Sequence, residues 1–133
     1  MPLAVGLTQR TYYNEQQVAT PANTNDQSTT VDLGFTMLQS ILVLWPPGVN
    51  ALMGIRFTLD GVQIVPANAA ATFIFDSQAR RPFDVGMLLR HPIVIHTHNG
   101  GASAHTLFVT FVLTDVVLPS DTQPATALPV LSV

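Results

Sequence analysis

The chain has no cysteine and no lysine, and it has few charges of either sign: five arginines and eight acidic residues among 133. Without cysteine there is no disulfide framework, no thiolate metal site and no cysteine nucleophile. An average soluble domain of this length has about a quarter of its residues charged, roughly 33. The exterior of this chain is therefore unusually neutral. A free monomer avoids broad uncharged apolar surface because such surface associates, so the shortage reads as an exterior covered by partners. Biased codon use is the alternative, and it accounts for the missing lysine better than for the low total. With five scattered basic residues and a net charge of −3, there is no electrostatic footprint for a phosphate backbone. No nucleic-acid partner is expected. Nor is there a basic-flanked apolar stretch that reads as a signal peptide, or an apolar run of about 18 residues that would span a bilayer. The expectation is a soluble chain with no membrane partner.

What is present is 47% hydrophobic residues, enough for one core in a single domain. Residues 1–30 are rich in Thr, Gln, Asn and Pro and sustain no period. They read as an extended N-terminal arm, with terminal disorder as the alternative; the Leu3, Val5, Leu7 alternation and the pair Tyr12 and Tyr13 favour anchors that dock. From Val31 the pattern changes. Val31, Leu33, Phe35 and Met37 alternate with polar residues or glycine, which predicts a half-buried strand. A second apolar run, Ile41 to Trp45, stops at Pro46-Pro47-Gly48, where two N–H groups are missing.

The clearest local signal is a hairpin over Met53 to Val65. Met53, Ile55, Phe57 and Leu59 alternate up to Asp60-Gly61, a pair suited to a type I′ turn, which sets Leu59 opposite Val62 and Phe57 opposite Ile64. A loop over Ala67 to Ala71 leads to a short strand around Thr72 to Phe75. Arg80-Arg81-Pro82 breaks the period before a short strand over Val85 to Leu89. Ile93 and Ile95 mark the next strand, Asn99-Gly100-Gly101 turns the chain, and Leu107, Val109, Phe111 and Leu113 make the last. Phe108 and Val112 leave the outer face of that strand partly apolar, as in a strand covered on both sides. Residues 117–133 form a Pro-rich, extended C-terminal tail whose Leu128, Val130, Leu131 and Val133 would be costly to leave in water. Seven to nine strands and no helical period predict an all-β antiparallel sandwich over residues 31–116, with a jelly roll as the expected wiring.

One cluster has metal-ligand character: His96, His98 and His105. His-x-His on a strand faintly resembles the first motif of cupins, but Gly100 to Ala104 replace the acidic ligand expected next, and no second motif follows. Parity also separates the three, since His105 shares the face of Leu107 and Val109 while His96 and His98 oppose Ile93 and Ile95. Solvated or interface histidines are the expectation, and His91 before Pro92 reads as structural. No carboxylate pair can be set across a cleft, and there is no G-x-S-x-G elbow, P-loop or EF-hand loop. No enzyme activity and no cofactor are expected.

The segment Ile41 to Pro66, containing L-W-P-P-G-V-N-A-L-M-G-I-R-F-T-L-D-G-V-Q-I-V-P, together with Ala104 to Phe111, resembles a group of small tailed-bacteriophage virion proteins. The resemblance covers about two-thirds of the chain, and its motifs are structural. It implies a capsid decoration or cement protein: a jelly-roll body, often a homotrimer, on the outer surface of the virion's capsid, bound to the major capsid protein and to copies of itself. The expected anchors are Tyr12 and Tyr13 in the arm, Leu128, Val130 and Leu131 in the tail, and Trp45, which reads equally as core. Arg80, Arg81 and Arg56 could pair with acidic groups on a partner, although exposed charges commonly contribute little. Two rival functions remain: a receptor- or carbohydrate-binding sandwich of a phage tail or fibre, and a cupin-like metalloprotein.

Overall fold

In a computed structural model of the chain, residues 9–67 and 72–116 are described. They form nine strands: β1 (Thr11–Thr20), β2 (Thr24–Val31), β3 (Thr36–Trp45), β4 (Met53–Leu59), β5 (Val62–Val65), β6 (Ile74–Asp76), β7 (Ala79–Leu89), β8 (Ile93–Asn99) and β9 (His105–Thr114). All pairings are antiparallel. Sheet A has the order β1-β9-β3-β7; sheet B has the order β2-β8-β4-β5, with β6 pairing the first half of β4. The two sheets enclose one core to which both contribute, Val18, Ile41, Val43, Trp45, Val109 and Phe111 from A and Met53, Ile55, Phe57, Ile93 and Ile95 from B. Phe57 meets Phe111 edge to face across the middle, with ring centroids 6.1 Å apart. The chain is thus an antiparallel β-sandwich.

Alternation explains most of the strand faces. In β8 every odd residue from Ile93 to Asn99 is buried and every even one is half-exposed. In β9 Leu107, Val109, Phe111 and Leu113 are buried while Phe108 faces outward. The Asp60-Gly61 turn forms as expected, with φ of 52° and 78° at the two residues, the left-handed pair that a type I′ turn requires. Leu59 pairs with Val62. Phe57, however, pairs with Val65 rather than Ile64, because a register shift lies between Phe57 and Thr58. The shift turns Val65 into the core and leaves Val62 in solvent.

Several expectations are corrected. Residues 11–30 are not an arm: β1 and β2 are full strands, paired with β9 and β8. The strand expected over Val31 to Met37 is divided, since β2 ends at Val31, Asp32 to Phe35 connect the two sheets, and β3 starts at Thr36 with inward parity at Thr36 and Leu38. A register irregularity between Leu38 and Ser40 then moves the inward set to Ile41, Val43 and Trp45. Arg80, Arg81 and Pro82 do not break a strand but lie inside β7, where Pro82 is tolerated because β7 is an edge strand.

Candidate functional site

The sandwich has two outer faces, and they differ in chemistry. On sheet A, three rows of side chains cross all four strands: Tyr13, Val112, Ser40 and Asp84; Glu15, Thr110, Leu42 and Pro82; Gln17, Phe108, Leu44 and Arg80. Tyr13 is 65% exposed, Leu44 42% and Phe108 39%, large apolar side chains left in solvent on the sheet. Between them lies a shallow groove of about 520 Å³, lined by Glu15, Gln17, Leu42, Leu44, Arg80 and Phe108. Among the described residues Arg80 has no ion pair, whereas Arg10, Arg56 and Arg81 are paired with Asp115, Asp26 and Asp76. An apolar-centred face with Glu15 on one edge strand and Arg80 and Asp84 on the other suits contact with another protein surface.

On sheet B the outer face is a hydrogen-bonded network. Thr58 Oγ1 and His96 Nε2 share a hydrogen bond at 2.9 Å, and His96 Nδ1 donates to Asp26 Oδ1 at 3.0 Å. Arg56 donates from one amino group to Asp26 Oδ2 at 2.8 Å and from the other to Gln63 Oε1 at 3.2 Å. Partial burial by itself would raise the Asp26 carboxyl, but the hydrogen bonds and charges of Arg56 and His96 outweigh it and lower its pKa below the ordinary carboxylate value. Beside this network His98 lies against the rings of Phe73 and Phe75, and Arg56 stacks over Phe73 at 5.2 Å. The rings approach this closely because residue 54 is glycine: a Cβ there would lie 2.7 Å from the Cβ of Phe73.

The order hydroxyl, imidazole, carboxylate has the sequence of a nucleophilic triad. Its hydroxyl is not presented to solvent, however, since Thr58 is only 7% exposed. The three side chains come from β4, β8 and β2, so their bonds tie the sheet together.

The residues singled out in the sequence are placed as follows. Tyr13, on the face of sheet A, is exposed. Tyr12 is not an outward anchor: its hydroxyl donates to Thr36 Oγ1 at 2.9 Å and its ring rests on the core. Trp45 is core, 1% exposed, with Nε1 donating to the carbonyl of Met53 at 3.0 Å. Arg80 faces the groove, whereas Arg81, on the opposite side of β7, contacts Asp76 and the Phe83 ring. Leu128, Val130 and Leu131 lie outside the described residues. His96 and His98 share the outer face of sheet B, and His105 is on sheet A paired with Thr20, so the three histidines do not converge. Among the described residues no group of three or more His, Cys, Asp or Glu is placed to hold a metal ion. His91 forms a 3.6 Å contact with Asp60 between two turns.

Sequence reasoning missed Asp26, Arg56 and Thr58 as partners of His96. Even parity marked His96 as outward, but reading residue 26 as part of an arm removed the carboxylate from consideration. Compared with known proteins, the chain matches no family model, no curated protein and no solved structure.

Proposed function

We propose that this chain is a structural, non-enzymatic protein of the phage capsid decoration kind, which binds a shell of major capsid protein through the outer face of sheet A. The observation that carries this reading is the four-stranded face on which Tyr13, Leu42, Leu44, Phe108 and Val112 lie together, with Glu15, Arg80 and Asp84 as its charged residues. Such a face is costly in water and loses that cost against a matching surface. The wiring supports the reading. The orders β1-β9-β3-β7 and β2-β8-β4-β5 favour a jelly-roll wiring, an architecture common among viral capsid domains. Each copy contributes a modest interface, and the symmetry of the shell multiplies it.

The test is cosedimentation of the purified chain with undecorated heads assembled from the major capsid protein of the same phage. Saturable binding that is lost in Leu44→Glu and Phe108→Glu is the expected result. Both side chains are exposed, so melting temperatures should stay near wild type. Absence of binding by a wild-type chain that melts cooperatively would overturn the reading.

A second reading, recognition of a receptor or glycan, is favoured by one feature: Phe73, Phe75, His98 and Arg56 group on the outer face of sheet B, with Phe75 exposed. Glycan-array binding abolished by Phe75→Ala would support it in place of the first.

A further inference from the structure

The edges of the two sheets differ in how they are protected. β7 carries Pro82 and the charges Arg80, Arg81 and Asp84, and its register with β3 is interrupted. β2 has a register shift between Thr24 and Gln27, and β5 and β6 are four and three residues long. These are the usual means by which an edge is kept from pairing with another chain. β1 has none of them. Its ten residues pair with β9 without a shift, it contains no proline, and Glu15 is its single charge.

The outward backbone groups of β1 can be assigned. Asp115 N–H donates to the carbonyl of Arg10, so these two residues form a hydrogen-bonded pair. Alternation in an antiparallel ladder then turns the backbone of Tyr12, Asn14, Gln16 and Val18 towards β9 and that of Thr11, Tyr13, Glu15, Gln17 and Ala19 away from the sheet. The Ala19 carbonyl is occupied by Gln27 Nε2 at 2.9 Å. At the other end, the side chains of Gln9 and Arg10 are tied to Asp115. Among the described residues the free window therefore runs from Thr11 to Gln17, and its midpoint is Asn14.

We propose that two copies of this chain pair through β1, antiparallel about a two-fold axis at Asn14, and so join their sheets A into one continuous sheet. This register sets Thr11 against Gln17 of the second copy and Tyr13 against Glu15 of the second copy. All four outward residues then form hydrogen-bonded pairs, about eight bonds across the axis, and no like charges meet. A register centred on Glu15 would oppose two carboxylates and use the carbonyl of Ala19, which is already bonded to Gln27. The occupant is a second copy because the free window is self-complementary: its ends are equidistant from the one residue about which every outward group finds a partner. Pairing also brings the two Tyr13 side chains near the axis, so the apolar face of sheet A runs on across both copies.

The experiment is sedimentation equilibrium of the full chain over a wide concentration range, with two substitutions at the exposed Tyr13. The wild type is expected to be a dimer. Tyr13→Glu, which sets a carboxylate against Glu15 of the second copy twice over, should weaken association about tenfold or more. Tyr13→Lys, facing the same carboxylates, should associate at least as tightly as wild type. Cooperative melting near the wild-type temperature establishes that both variants fold. As a backbone readout, amide exchange at Thr11, Tyr13, Glu15 and Gln17 should slow as concentration rises, while exchange at Tyr12 and Asn14 should not change. A monomer at every concentration, a trimer, or the same response to both charges would overturn the proposal. None of these readouts uses a capsid shell, so their failure is distinct from failure of shell binding.

Discussion

His96 and Asp26 are 70 positions apart in the chain and share a 3.0 Å hydrogen bond on the outer face of sheet B. The bond joins the central strand β8 to the edge strand β2, and Arg56 of β4 reaches the other carboxylate oxygen. β2 buries little apolar surface, since Val31 is its one fully buried residue. Polar side-chain bonds therefore add to the backbone pairing with β8 that holds it in place.

Acid should loosen this edge. The pKa of Asp26 is depressed in the folded chain, so its stabilisation is complete above the unfolded carboxyl pKa of about 3.9 and is lost as pH falls through the lower folded value. With the side chain 40% exposed, solvent screening holds the effect to about 1 kcal/mol or less. Thermal melts across the acid range should show Asp26→Asn less stable at neutral pH and less sensitive to acid; parallel curves would remove the carboxylate from this role.

Trp45 tests the core. Trp45→Phe keeps most of the apolar volume but leaves the Met53 carbonyl without its buried donor, a loss of about 1–3 kcal/mol. Denaturant unfolding should report a lower midpoint with an unchanged slope.

Gly54 tests the aromatic group on sheet B. The methyl group of Gly54→Ala would enter the space of the Phe73 Cβ and the Phe75 ring. Because β6 pairs with β4 at this point, the variant should displace β6 and cost about 1–3 kcal/mol. Shifts in the amide resonances of residues 73–76, with those of sheet A unmoved, would confirm the site of strain.

Asn99 tests the corner between the sheets. Its Nδ2 donates to the carbonyls of Thr20 and Ser103, and its Oδ1 accepts from Gly101 N–H. Asn99→Ala leaves these groups unpaired at a buried position, and loss of about 2 kcal/mol or more is expected. Faster amide exchange at Gly101 is the accompanying local signature.

Local pattern alone determined much of this protein. Alternating residues at the 3.3 Å rise of a strand define one face whatever the neighbours are, so the inward sets of β4, β8 and β9, the Asp60-Gly61 turn and the separation of His105 from His96 and His98 were all legible in the sequence. Tertiary structure decided the rest. β1 and β2 are polar edge strands whose residues are mostly half-buried or exposed; what makes them strands is backbone pairing with β9 and β8, which leaves no apolar period to read. The irregularities near Gln39 and between Phe57 and Thr58 each shift parity by one residue, and a one-residue shift exchanges the faces of everything beyond it. The same holds for the two surfaces described here. The Asp26–His96–Arg56 network and the Tyr13–Phe108–Leu44 face each take residues from three strands distant in sequence, and only the order of strands in a sheet brings them side by side.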